Sequence, residues 1–539
     1  MQLPHATINY YLVLIKMMPP SYFKDEKNKA LLHKICIIAI FILAFSVRIY
    51  NLTGVPYGFH ADEASIGYNA YTILTKGTDE YGVPFPAFFK SFGEYKSPIQ
   101  IYSTVPLVAI FGLNEFSTRL TSVIYGLLSL VAVYFLSLEL FKTQKHAKFI
   151  GLFSLFFLAI SPWDIQFSRV AYELMPFVFY TSFGLFVFLK AQKRSWLLPV
   201  SIILFALALY SYYAGRIFIP LFGLGLLYIY RDFFLKHKKE TLVSFLFLII
   251  LLIPFVKNLF SNDALIRWDQ TSIFVHPPKN ISVLHQIEIN YGNHFSPEFL
   301  FIGGNNALPG NQILRDAPYN IGELYLFQFP LVLFGMYALF KKRNKTFFLL
   351  LLWLLIYPVG GMFSNDGSPF ARRSIIGVVP FQMLSALGII FVLEWVTKWR
   401  HAYAALFYAL SALVILFSFV YYLQLYFVDY PRYSSAWWGW QYGPKDIVPY
   451  FVAHESQYDD LIMSPYFNGR FEFFKFYAPN DCSKCKVGLP QDYYNSGRKQ
   501  LYALPPGYLS NYPHYTYIPL KYLYYPDGSV AYVITEVRE

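Results

Sequence analysis

A carboxylate pair, Asp62-Glu63, stands in the run His60-Ala61-Asp62-Glu63-Ala64, directly after the first long apolar segment of the chain. An ionised pair beside lipid is costly unless it faces water, a cation or a substrate, so the position marks a functional site. Further charges recur near the ends of later apolar segments: Lys96, Arg119, Asp164, Arg169, Arg216, Asp366, Arg372 and Arg373. A pocket that gathers carboxylates and guanidiniums suits transfer of a group from a lipid phosphate. There a carboxylate takes the acceptor's proton while cations stabilise the departing phosphate. Arginine fits that task because its fork donates two hydrogen bonds and keeps its charge when buried.

Each of these residues also has a plainer reading. Asp62 is a candidate cap for a helix over 63–75, the reading that the local pattern favours. Lys96, Arg119 and Arg216 are candidates for snorkelling at the ends of apolar segments. Arg372 and Arg373 are candidates for pairing with Asp366. Cys482-Ser483-Lys484-Cys485 lacks a second CxxC or a His-rich partner, which favours a local disulfide or two free thiols over a zinc site. His60 beside Asp62 is too little for a metal site.

The elements that must position these groups follow from composition. Of 539 residues 56% are hydrophobic, 21% aromatic and only 14% charged, where a soluble domain carries about 25% charged residues. The chain reads as a polytopic membrane protein. Its net charge of +12 lies in short clusters between apolar runs, as the positive-inside rule describes, and leaves no basic face for nucleic acid. Residues 1–32, with Lys24, Lys27 and Lys29, read as a cytoplasmic tail rather than a removed signal peptide.

Eleven apolar runs are expected to span, near 33–51, 119–141, 149–162, 174–190, 197–213, 216–231, 241–260, 326–340, 346–362, 374–397 and 402–428. Lys/Arg clusters at 142–148, 190–194, 231–239, 341–345 and 398–400 fall on alternate connections. That alternation places the N-terminus inside and loops 51–118 and 261–325 outside. Counting 98–112 as a further span would put every later cluster outside, so 64–76 and 98–112 are expected as helices on the outer membrane surface. After Tyr430 the composition turns to Tyr, Pro, Gly and Asn. The alternation Arg470-Phe471-Glu472-Phe473 and the hairpin-like Tyr524-Tyr525-Pro526-Asp527-Gly528-Ser529-Val530 predict a small domain with β-structure. The chain thus divides into a tail (1–32), a membrane domain (33–430) with its first outer loop at 51–118, and an extracytoplasmic α/β domain (431–539).

The order of motifs resembles the GT-C glycosyltransferases, in the branch of the protein O-mannosyltransferases and the lipid A aminoarabinose transferase. The resemblance rests on Arg48-Ile49-Tyr50, on His60 to Ala64, on Tyr95-Lys96-Ser97-Pro98 and on Phe111 to Leu120. It continues with Phe167-Ser168-Arg169, Tyr212-Tyr213-Ala214-Gly215-Arg216, and Asp366-Gly367-Ser368-Pro369-Phe370-Ala371-Arg372-Arg373. It covers about residues 40–400. It implies a helical membrane enzyme that takes a sugar from a polyprenyl-phosphate carrier on the extracytoplasmic side and transfers it with inversion. The family's catalytic base maps onto Asp62 and its companion acid onto Glu63. Lys96 and Arg373 map onto positions that hold the donor phosphate or its surroundings, Arg216 maps onto a cation near the lipid headgroup, and Arg372 beside Arg373 is a further donor-phosphate candidate. His60, Arg169 and Asp366 complete the set of pocket candidates. Relatives often carry His where this chain has Phe370.

The expected reaction is therefore hexosyl or pentosyl transfer to an extracytoplasmic protein, lipid or glycan. No obligatory cofactor is expected, because cationic side chains take a metal's place. The rival class is a transporter or flippase of a lipid-linked solute. Such a protein shows Gly/Pro-broken spans in two related halves and ionisable groups near the midplane, whereas here the charges sit at the outer ends.

Overall fold

The computed structural model describes residues 26–539 except 92, 261–265, 307–313, 366 and 481. Among them seven helices are long and apolar enough to cross a membrane: Lys27–Ile49, Glu115–Leu140, Leu174–Ala191, Lys238–Leu259, Lys345–Met362, Ile375–Val396 and His401–Ser434. The pair Ala147–Ile160 and Pro162–Ser168, bent by 58°, makes an eighth span if counted as one. Each of the eleven expected segments is helical, but Ser195–Leu209, Gly215–Ile229 and Gln328–Phe340 fall below 18 residues, so eleven is an approximate count. The chain is an integral membrane protein.

The basic clusters meet at one end of the bundle. Lys142 and Lys190 both bind the carboxylate of Glu139, at 2.5 and 2.6 Å, and Lys342 reaches Gln144 across the next connection. The remaining connections, including 169–173, 210–214 and 357–374, alternate with these along the chain.

At the opposite end the first loop folds into two helices, Ala61–Lys76 and Pro98–Phe111, with a small hairpin between them. In the hairpin β1 (Phe89–Ser91) pairs antiparallel with β2 (Glu94–Lys96), and Phe89 faces Lys96 in register. Pro98 opens the second helix at its first turn, where its missing N–H costs nothing.

Residues 458–539 fold into a five-stranded sheet of order β4-β3-β5-β7-β6. β3 (Asp460–Met463), β4 (Cys485–Val487) and β5 (Gln500–Leu504) are parallel. β6 (Thr516–Tyr524) and β7 (Val530–Arg538) form the hairpin whose turn the sequence announces. The alternation at Arg470–Phe473 misleads, because Arg470–Tyr477 is a helix. Phe473 and Phe476 pack its inner side against Phe59, Ala61 and Ala64 of the first loop, and that burial decides the local structure over a four-residue pattern. Cys482 and Cys485 form a disulfide.

Candidate active site

Helix Ala61–Lys76 sets the geometry of the carboxylate pair. Its N-cap is His60, whose Nδ1 accepts the N–H of Asp62 at 3.1 Å, while the Glu63 carboxylate accepts the N–H of His60 at 3.2 Å. This is a capping box with histidine in the serine position, and acids in the first turn suit the helix dipole. The capping role read for Asp62 thus belongs to His60. The helix stops at Gly77, whose φ of 69° only glycine adopts without strain.

Because Asp62 is not needed as the cap, its carboxylate turns into a cavity of about 320 Å³. Lys96, delivered by β2, places Nζ 2.6 Å from Asp62 Oδ1, and His60 Nδ1 lies 3.2 Å from Oδ2. Burial raises the Asp62 pKa, but the Lys96 ammonium outweighs it and holds the carboxyl well below its ordinary range. Burial and the Arg315 guanidinium push His60 down, which keeps the ring neutral at pH 7.

Arg216, Arg372 and Arg373 line the same cavity as Asp62 and Lys96. Arg216 lies over the ring of Tyr213 at 3.9 Å, and Arg373 over Phe370 at 4.5 Å. Arg372 pairs with the buried Asp316 at 2.7 Å. Among the described residues, four cations therefore face two lining carboxylates, Asp62 and Glu173. Ile66, Ile217, Leu259, Trp268 and Phe363 supply an apolar flank.

The loop that carries Arg372 and Arg373 is clamped from three sides. Asn305 Oδ1 accepts the Ala371 N–H at 2.7 Å, Trp163 Nε1 donates to the Ala371 carbonyl at 3.0 Å, and His294 Nε2 accepts the Phe370 N–H at 3.2 Å. His294 is fully buried, and its Nδ1 donates to the Asn290 carbonyl at 2.7 Å. Burial pushes its pKa down to about 4. A histidine thus lies against Phe370 from another part of the chain, although the motif itself lacks one.

Other expected site residues lie elsewhere. Glu63 is fully buried away from the cavity, where Arg119 Nε and Nη2 donate to its two oxygens at 2.9 and 2.8 Å. Arg119 also donates to the carbonyls of Leu52, Pro56 and Gly58, at 3.0, 3.2 and 2.7 Å. The pair therefore locks the loop that leads into His60. Arg169 is buried too and donates to the carbonyls of Val47, Arg48 and Val55 at 2.7, 2.9 and 2.8 Å, which staples the end of the first long helix. Asp366 lies outside the described residues. Sequence reasoning missed Asp316, Tyr172 and Glu173. No spacing ties Asp316 to Arg372, and Tyr172-Glu173 follows the noticed Arg169 without a motif of its own.

Comparison with known proteins places this geometry. Residues 96–256 match the profile of the dolichyl-phosphate-mannose-protein mannosyltransferase family. No curated protein sequence matches significantly. The structure of ArnT from Cupriavidus metallidurans bound to undecaprenyl phosphate is similar, with a TM-score of 0.55, 12% identity, and coverage of 95% of this chain and 98% of that one. The Archaeoglobus fulgidus oligosaccharyltransferase tethered with an acceptor peptide has a TM-score of 0.52 and 16% identity over 85% of this chain. This chain spans only 64% of that protein's length. The protein has the GT-C fold of membrane glycosyltransferases, in the form that it shares with ArnT.

Proposed function

We propose that the protein transfers a hexosyl or pentosyl group from a polyprenyl-phosphate carrier to an extracytoplasmic acceptor, with inversion at the anomeric carbon. The observation that carries this reading is a single cavity combining an ion-paired carboxylate, three arginines and a lysine with an apolar flank. A phosphate esterified to a long apolar chain is complementary to both sides of it.

In the proposed step the acceptor hydroxyl attacks the anomeric carbon and gives its proton to Asp62 as the carbon–phosphate-oxygen bond breaks. Lys96, Arg372 and Arg373 take up the charge that grows on the departing polyprenyl phosphate, and Arg216 holds the headgroup near the apolar flank. Both groups that must exchange charge are linked from the start, because Lys96 touches Asp62. No divalent ion is part of this proposal, so turnover should survive a chelator. The cavity end and the sheet domain are assigned to the extracytoplasmic side, opposite the basic clusters.

Asp62→Asn tests the reading. It keeps shape while removing basicity, and His60 still caps the helix. The purified variant should bind polyprenyl phosphate and lose transfer by at least ~100-fold. Wild-type turnover by Asp62→Asn would remove the mechanism. Movement of the donor across vesicles without sugar transfer would establish the transporter reading instead.

A further inference from the structure

A second cavity, of about 580 Å³, lies in the extramembrane domain, away from Asp62. Its size falls within the ~300–1,000 Å³ of small-molecule sites. Its walls are aromatic: Trp437 and Trp438 on one side, Tyr466, Tyr508, Tyr512 and Tyr532 around them, with Asn511 as the amide. Among the described residues that line it none carries a charge.

The topology of the sheet explains why a cavity forms there. From β3, the middle of the three parallel strands, the chain crosses to β4 on one side, then passes back over β3 to β5 on the other. The helix Arg470–Tyr477 of the first crossover packs on the sheet face of Leu461, Met463 and Leu501. Leu489 of the second crossover packs on the opposite face, with Ile462 and Tyr502. The two crossovers therefore diverge between β3 and β5 and leave a crevice at the carboxyl ends of these strands, where open α/β sheets bind ligands. Tyr466 follows β3, Tyr508 follows β5, and Tyr532 lies on β7 beside the end of β5. Ser464, which follows β3, is fully buried and its hydroxyl has no hydrogen-bond partner among the described residues.

We propose that this crevice is a binding site for a neutral saccharide. A pyranose presents an apolar face of C–H groups and a rim of hydroxyls. Aromatic rings with a negative face match the first, while indole and phenol donors and the Asn511 amide match the second. An uncharged lining disfavours phosphate, sialylated and sulfated ligands, which would be desolvated without a counter-charge. Trp437, Trp438 and Tyr466 remain 42, 55 and 47% exposed; the two indoles pack edge to face, with ring centroids 4.3 Å apart, which occupies one ring face and leaves the others open to a ligand. Tyr532 is instead held from below by Phe467, with ring centroids 5.0 Å apart.

The loop that carries the two tryptophans also reaches the first cavity. Trp440 stacks on Tyr172, which lines it, and the Ala61 N–H donates to Gln441 Oε1 at 3.3 Å. A saccharide seated on Trp438 would thus be held by the segment that abuts the Asp62 helix. The binding claim stands apart from the transfer reaction proposed above, because it is read without any donor.

The test uses full-length protein in lipid nanodiscs, applied to an array of neutral hexose oligosaccharides, sialylated and sulfated glycans, and unglycosylated peptides. Neutral oligosaccharides should be retained preferentially. Trp438→Ala and Tyr466→Ala should each weaken that binding about tenfold, and Trp438→Phe, which keeps a ring, should restore most of it. Asp62→Asn should bind glycans as wild type even if it transfers nothing, so failure of one proposal is separable from failure of the other. Retention of no glycan, preference for anionic glycans or peptides, or unchanged binding by both alanine variants would overturn the site. In the last case the tryptophans belong to a membrane-interface belt.

Discussion

Asp62 and Glu63 are adjacent in sequence and face opposite environments. The Asp62 side chain is 28% exposed on the cavity and pairs with Lys96, whereas Glu63 is fully buried against Arg119. Successive residues on a helix diverge by about 100°, so once His60 starts the helix the two carboxylates cannot share a site. One faces the cavity and the other is locked into the protein interior.

Substitution of Glu63 should accordingly be the more damaging to the fold. Glu63→Gln leaves the Arg119 guanidinium buried without its counter-charge, which costs roughly 3–5 kcal/mol. The variant should show a larger fall in thermal midpoint in detergent than Asp62→Asn, whose carboxylate is 28% exposed rather than fully buried. Equal midpoints for the two variants would refute the division of roles.

The pH dependence of turnover should report the Lys96 contact. Lys96 holds the Asp62 pKa down, so the acidic limb of kcat/KM should lie below the ordinary carboxylate range. In Lys96→Gln burial is no longer opposed by the ammonium, and the limb of the residual activity should move to higher pH. A limb that stays in place would mean that Asp62 is not the titrating base.

His294 makes a separate prediction about stability. Its folded pKa is about 4 against 6.5 ordinarily, so between those values the unfolded chain binds more protons than the folded one. Stability should therefore be complete above pH 6.5 and fall as pH drops toward 4. Melting curves of His294→Gln should lose much of that slope. An identical slope in the variant would assign the acid sensitivity to other groups.

Sidedness is open to labelling. In a Cys36→Ser background, cysteines placed at Asn320 and Ser510 should react with an impermeant thiol reagent applied to intact cells. One at Asn344, among the basic residues of its connection, should not. The reverse pattern would invert the assignment of sides.

The sequence by itself determined the membrane class, the positions of the long apolar helices, the hairpin at Pro526-Asp527-Gly528 and the cations Lys96, Arg216, Arg372 and Arg373, which do line one cavity with Asp62. These are legible because apolar length, turn chemistry and a charge at the end of an apolar run are local properties with few structural solutions. Only the tertiary structure separated Asp62 from Glu63, withdrew Arg169 into a nest of backbone carbonyls and paired Arg372 with Asp316. It likewise turned Arg470–Tyr477 into a helix and opened the aromatic crevice between β3 and β5. The reason is the same in each case. A buried charge or an amphipathic segment takes whichever partner the packing brings to it, and those partners lie tens to hundreds of residues away.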